Sequence, residues 1–241
     1  MHEPVTRFYE HMYAEGREGQ APGGLLGRLF RRLRRFELHR VPAAFALLDR
    51  GGRLLDLGCG DGTLLALARR DKFREVYGID VSSTVVRRAQ ATCVRVLGNL
   101  DGVHITDQDL NHALPFADHF VDAVTAIAVI EHIFDPYYSI AEVHRVVRPG
   151  GQFIMEVPNL VWLPRRLDVM LGRLPVTGEE EGWDGGHLHY FTFDAVRKLL
   201  TSGGFQIEYM GSTGIFPRIR NIWPRLLGGN IMVKARRLGD D

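Results

Sequence analysis

Apolar residues in this chain keep two rhythms that alternate along its length. Short continuous runs bounded by turn residues, such as Leu54-Leu55-Asp56-Leu57, read as strands buried on both faces, while longer segments repeat their apolar positions at helical spacing. The pattern predicts strands near 53–57, 74–79, 102–106, 120–127, 151–157, 205–211 and 229–236, and helices near 62–70, 83–96, 136–147 and 193–202. Strand and helix taking turns in this way predict a doubly wound α/β sheet with helices on both faces. Ligands of such open sheets bind beyond the carboxyl ends of the strands, so the residues at those ends are the first candidates for chemistry.

The first strand ends in Asp56-Leu57-Gly58-Cys59-Gly60-Asp61-Gly62. Gly58 and Gly60 carry no Cβ to keep a ligand off the turn, and the helix that follows presents unpaired N–H groups. A dinucleotide turn would need its third glycine at position 63, which is Thr63. The carboxylate of Asp56 suits a cationic ligand and repels a pyrophosphate. The second strand, Glu75 to Ile79, ends in Asp80 and Val81, followed by Ser82 and Ser83 as caps for the next helix. A carboxylate at Asp80 can accept hydrogen bonds from both hydroxyls of a ribose. The third strand leads into Asp107-Gln108-Asp109-Leu110, where Asp107 rivals Asp109 for the same role.

The spacing Asp56-x-Gly58-x-Gly60-x-Gly62, followed by Asp80 and Asp109, resembles the class I S-adenosylmethionine-dependent methyltransferases. The resemblance implies a seven-stranded, mostly parallel sheet in the order 3-2-1-4-5-7-6 with the last strand antiparallel. It also implies that Gly58 and Gly60 pass under the methionine portion of S-adenosyl-L-methionine and that Asp56 holds its ammonium group. Asp80 with Val81 would take the ribose, Asp109 the adenine amino group and Leu110 the ring face, with Ala128 also lining the donor pocket. The product would be S-adenosyl-L-homocysteine. Val157-Pro158-Asn159, Trp162, Arg166 and Gly172-Arg173-Leu174-Pro175-Val176-Thr177-Gly178 resemble the MetW-like group more narrowly, a group associated with methionine biosynthesis. The chain departs from that group in its basic N-terminal extension, in Glu131-His132, and in His187-Leu188-His189-Tyr190-Phe191-Thr192. Those departures are similar to the UbiG-like small-molecule O- or N-methyltransferases.

With 241 residues, 45% of them hydrophobic and 24% charged, the chain can bury one full core. The expected division is an N-terminal helical extension over 1–40 and a donor-binding domain over 41–241, with lid insertions at 158–191 and 212–228. Cys59 and Cys93 lack metal-ligand spacing and form no disulfide framework, which fits a reducing, cytoplasmic setting. No apolar run approaches membrane-spanning length, Met1-His2-Glu3-Pro4 has no signal-peptide layout, and a net charge of +1 speaks against a nucleic-acid surface. Residues 25–40 do form a basic amphipathic segment with Arg31, Arg32, Arg34 and Arg35, read as a lid helix with solvated arginines rather than as a membrane contact. A homodimer is a candidate assembly, and the acceptor is expected to be a small molecule.

A hydroxyl acceptor would need a base, and His132, His189 and His187, ranked in that order, are the candidates. Glu131 and His132 also resemble the end of the E-x-x-E-H motif that holds Mg²⁺ in UbiG-like and small-RNA methyltransferases, but the first glutamate's position is Ala128. Mg²⁺ prefers a full set of oxygen donors, so no metal is expected to be required. A MetW-like donor-binding partner without turnover and an RNA methyltransferase are the alternative functions.

Overall fold

A computed structural model describes residues 37–173 and 186–239 of the chain. Seven strands form one sheet: β2 (Gly51–Leu57), β3 (Phe73–Asp80), β4 (Val103–Asp107), β5 (Val121–Ile127), β6 (Val147–Pro158), β7 (Phe205–Gly211) and β9 (Asn230–Arg237). Their order is β4-β3-β2-β5-β6-β9-β7. Pairings are parallel from β4 through β6, and β9 runs antiparallel to both of its neighbours. Counted along the chain within this sheet, that is the order 3-2-1-4-5-7-6 with an antiparallel last strand, as the family resemblance implies. Two short strands, β1 (Glu37–Leu38) and β8 (Gly214–Ile215), pair separately. The first of them lies inside the segment assigned above to the N-terminal extension.

Alternation along the strands sends successive side chains to opposite faces, which gives two apolar layers. Leu55, Leu57, Val124, Phe153 and Met155 pack with α4 (Pro136–Val146) and α6 (Phe193–Ser202) through Ile140, Val143, Val196 and Leu200. Leu54, Val76, Ala123 and Ile154 pack on the other face with α1 (Arg40–Leu47), α2 (Thr63–Asp71) and α3 (Ser83–Leu97) through Ala44, Leu65, Ala89 and Cys93. Phe153 and Phe205 are among the largest wholly buried side chains, and truncating either to alanine is a loss of about 3–5 kcal/mol.

Helices start where the sequence supplies a cap. Ser82 Oγ accepts from the Val85 N–H at the start of α3, Asp135 from Tyr137 and Tyr138 at α4, and Thr192 from Ala195 at α6. The helix expected near 136–147 is α4, which ends at Val146, and β6 begins directly after it, so that Arg148-Pro149-Gly150-Gly151 lies in the strand, where a Cβ at Gly151 would fall 2.8 Å from the Asp122 carbonyl oxygen. Four short helices were not foreseen: α1, α5 (Leu163–Met170), α7 (Pro217–Arg220) and α8 (Pro224–Leu227). Each carries a proline within its first three residues, and none runs beyond eight residues, little more than two turns. Most of the basic N-terminal segment, and within the first lid 174–185, lie outside the described residues.

Candidate active site

The carboxyl ends of β2 and β3 build one half of the site. Gly58, Gly60 and Gly62 all hold left-handed backbone, at φ 65°, 52° and 76°. A Cβ at Gly58 would lie 2.4 Å from a methyl of Val129 and one at Gly62 2.8 Å from the Ala89 carbonyl oxygen, whereas one at Gly60 would meet nothing within 4 Å. Packing therefore explains two of the three glycines, and the third borders open space. Asp80 ties the turn to the end of β3: its Oδ2 accepts from the Gly60 N–H at 3.1 Å and its Oδ1 from the Ser82 N–H at 3.2 Å. Asp56, buried at 3% exposure, accepts a 2.6 Å hydrogen bond from the Thr125 hydroxyl. Burial pushes its carboxyl up to about 7 despite that bond, with the charges of Asp80 and Asp61 adding to the rise. Such a cluster of acids is relieved by a cation.

Beyond β4, Asp109 is half-buried and accepts from the Asn111 backbone N–H at 2.9 Å and from its side-chain amide at 2.8 Å. Its rival Asp107 is exposed at the end of the strand, paired in register with Asp80. Leu110 is buried in the core layer behind it, and Val81 is half-buried after Asp80. Ala128 closes β5 at φ 58°, a left-handed conformation that costs an alanine about 1 kcal/mol, and its N–H donates to the Glu156 carbonyl at 3.0 Å.

The other half gathers around a single turn of 3₁₀ helix, Ile130–His132. Glu131 is 1% exposed, and neither of its carboxylate oxygens has a hydrogen-bond partner. Burial, reinforced by neighbouring Glu156, pushes its carboxyl up to about 8. The Leu188 and His189 N–H groups donate to the Glu131 carbonyl at 2.8 and 3.1 Å, which straps the loop at 186–189 across this turn. His187 Nε2 lies 4.0 Å from Glu131 Oε1, its ring stands edge to face with His132 at 4.7 Å, and His132 Nδ1 lies 3.3 Å from the Gly186 carbonyl oxygen. Of the three histidines, His132 and His187 meet at Glu131. His189 turns its Nε2 to the Phe134 carbonyl oxygen at 3.1 Å instead.

Glu131, His132 and His187 bring one donor atom each within 4.8 Å of one another. One carboxylate and two imidazoles do not form the oxygen cage that Mg²⁺ prefers, and Ala128 supplies no donor where the E-x-x-E-H motif has its first glutamate.

Sequence reasoning passed over two further polar groups. Thr125 was hidden inside an apolar strand and shows itself only as the partner of Asp56. Glu156 is an acid in the otherwise apolar run Phe153-Ile154-Met155-Glu156-Val157, an anomaly legible in the sequence. It is 1% exposed and accepts from the Thr213 hydroxyl at 3.1 Å through Oε1. Burial raises its pKa, against the pull of Arg40, whose Nε stands 3.8 Å from Oε2 without hydrogen-bonding to it.

Among the described residues no helix is long and apolar enough to cross a membrane. Residues 27–209 match a family described as a methyltransferase domain. A probable S-adenosylmethionine-dependent methyltransferase of Mycolicibacterium smegmatis is 29% identical over 170 residues, 69% of this chain and 56% of that protein. The ubiquinone/menaquinone biosynthesis C-methyltransferase UbiE of Erwinia tasmaniensis is 28% identical over 200 residues, 74% of this chain and 78% of that protein. The chain spans about half the length or less of the first curated relatives it matches, between 31% and 56%. In fold it is similar to the magnesium protoporphyrin IX methyltransferase of Synechocystis with bound S-adenosylhomocysteine, at a TM-score of 0.66 and 20% identity over 97% of this chain and 98% of that one. With the sheet order, the three-glycine turn and a family match over most of its length, the chain belongs to the class I S-adenosylmethionine-dependent methyltransferases.

Proposed function

We propose that this protein transfers the methyl group of S-adenosylmethionine to an oxygen or nitrogen of a small acceptor, in the cytoplasm and without a required metal. The observation that carries this reading is Asp56, a buried acid held near neutrality at about 7 beside Asp80, at the turn whose Gly60 faces open space. An ammonium group placed there restores the ionised form of Asp56 and removes the repulsion between the two acids. Asp80 remains within reach of a ribose, and Asp109 with Leu110 frames the place of an adenine.

Bound there, S-adenosylmethionine supplies a sulfonium methyl group that an in-line lone pair displaces. The chain's own part is to align that lone pair, to keep water out and to take up a proton. His132 and His187 converge on Glu131 at the carboxyl end of β5, so they are the groups placed to receive a proton from the acceptor. His189, held to the Phe134 carbonyl, is a positioning residue for the loop that carries His187. Of the two lid segments, the described residues 158–173, 186–191 and 212–228 supply the acceptor side.

The test is calorimetric titration with S-adenosylhomocysteine, followed by donor-consumption screening against metabolite extracts with mass spectrometry for a gain of one methylene. Saturable binding that Asp56→Ala and Asp80→Ala each weaken by at least tenfold, with donor consumed in the presence of an extract and undiminished by EDTA, is the expected result. Failure of the wild-type chain to bind either donor or product would overturn it.

A further inference from the structure

Buried polar atoms in folded proteins nearly always find a partner, so those that do not are informative. Among the described residues, three carboxylate oxygens are buried without any hydrogen bond: Glu131 Oε1, Glu131 Oε2 and Glu156 Oε2. The two acids come from different elements and are close enough to repel each other. Register places them with respect to the donor half. Thr125, the partner of Asp56, pairs with Ile154, and Glu156 follows Ile154 on the same face of β6, about 7 Å further toward the carboxyl ends. The end of β5 at Ile127 pairs with Glu156, and Glu131 lies in the turn that follows.

Resting on the methyl-transfer reading above, we infer that the acceptor is an amine that enters this wall as an ammonium ion, with Glu131 and Glu156 accepting its N–H groups.

Three arguments select this chemistry. An ammonium offers three donors, and three acceptor oxygens are open. It adds positive charge to two adjacent buried carboxylates that share a single half-exposed cation, Arg40, 3.8 Å from Glu156 without a hydrogen bond. A hydroxyl acceptor would offer one donor and no charge, leaving two of the three oxygens without a donor.

The arrangement also fits the reaction. An ammonium must lose a proton before it has a lone pair to offer, and His187, whose Nε2 lies 4.0 Å from Glu131 Oε1, is the group to take it. The nitrogen lone pair then forms the new N–C bond as the C–S bond breaks, its electron pair passing to sulfur. The products are the N-methylammonium ion, S-adenosylhomocysteine and one proton released to solvent.

The experiment uses matched probes on the full chain saturated with S-adenosylhomocysteine: benzylamine and 2-phenylethylamine against benzyl alcohol and 2-phenylethanol, with Mg²⁺ and Zn²⁺ as separate additions. Titration calorimetry is expected to show saturable binding of the amines at least tenfold tighter than of the alcohols. Glu131→Gln and Glu156→Gln should each weaken the amines about tenfold or more while leaving S-adenosylhomocysteine affinity within twofold. Equal binding of amines and alcohols, no saturable amine binding, or a divalent ion that binds alone and is lost in Glu131→Gln would each overturn the inference. Should a variant misfold, the wild-type comparison of amine with alcohol still decides. A chain that binds no S-adenosylhomocysteine at all fails the methyltransferase reading itself, which separates the two failures.

Discussion

The two halves of this site meet at the end of β5 and are built in opposite ways. On the proposed donor side the polar groups already have partners: Asp56 takes the Thr125 hydroxyl, Asp80 the N–H groups of Gly60 and Ser82, and Asp109 both donors of Asn111. On the acceptor side Glu131, Glu156, His187 and Thr213 converge from four separate segments, and three carboxylate oxygens are left over. A site for a ligand common to many enzymes can be fixed in advance by a short strand-turn-helix. A site for one particular acceptor is completed only when that acceptor brings the missing donors. The first half is expected to fail by losing its shape, the second by losing chemistry while its shape persists.

The glycine turn gives the largest test of that difference. Gly62→Ala puts a Cβ 2.8 Å from the Ala89 carbonyl at a φ of 76°, so backbone must move, and we expect a loss of about 3 kcal/mol or more in urea unfolding. Gly60→Ala meets no atom within 4 Å and pays only for its φ, about 1 kcal/mol, yet it fills the space assigned to the donor. Its S-adenosylhomocysteine affinity should fall by at least tenfold. Equal destabilisation by both substitutions, or unchanged affinity in Gly60→Ala, would remove the claim that Gly60 faces the donor.

Asp80→Ala should come next. It removes a ribose partner together with two hydrogen bonds that shape the turn, and a loss of about 2–3 kcal/mol in donor binding is expected. Isothermal titration reads it directly. Asp109→Ala, whose carboxylate is bound within its own loop, should lose less.

The histidines test the other half. His187→Gln is expected to lower turnover about 100-fold while leaving S-adenosylhomocysteine affinity within twofold, as removal of a proton acceptor does. His189→Gln loosens the loop's hold on Phe134 and should lower turnover by about threefold to tenfold. A larger effect at His189 than at His187 would reverse the roles drawn from the geometry.

The same asymmetry governs what could be read from the sequence. The donor half was legible because each of its signals is local: a glycine spacing, an acid at the end of a strand, a serine before a helix. The sheet order came with the family resemblance and agrees with the observed pairing. The acceptor half was not legible in the same way, because contact between Glu131 and His187, or between Glu156 and Thr213, depends on how long loops return over the sheet. The sequence ranks His132, His189 and His187 in that order, whereas backbone hydrogen bonds from Leu188 and His189 to Glu131 hold the loop so that His187, not His189, lies beside Glu131. The short helices were missed for a related reason, since four-residue and eight-residue segments hold at most about two turns in which an apolar period could be read.

The remaining effect is one of stability, and it sharpens the contrast because its sign is unusual for an acid. Glu131 has an ordinary value of 4.5 and is pushed up to about 8 by burial in the folded chain. Between those values the folded state holds a proton that the unfolded state has released, so stability falls as pH rises from about 4.5 to 8 and is level beyond. The ceiling set by about 1.4 kcal/mol per pKa unit is near 5 kcal/mol, and relaxation around a partly hydrated carboxylate brings the expected change to about 1–2 kcal/mol. Glu131→Gln cannot titrate, and Asp56 titrates alike in both chains, so the difference between variant and wild type reports Glu131 together with its coupling to Glu156. The variant should gain on the wild type by about 1–2 kcal/mol between pH 5 and pH 8 in parallel urea titrations. A difference that stays constant across that range would show that Glu131 is ionised and compensated in the free protein, and the open half of the site would then be closed by a partner of its own.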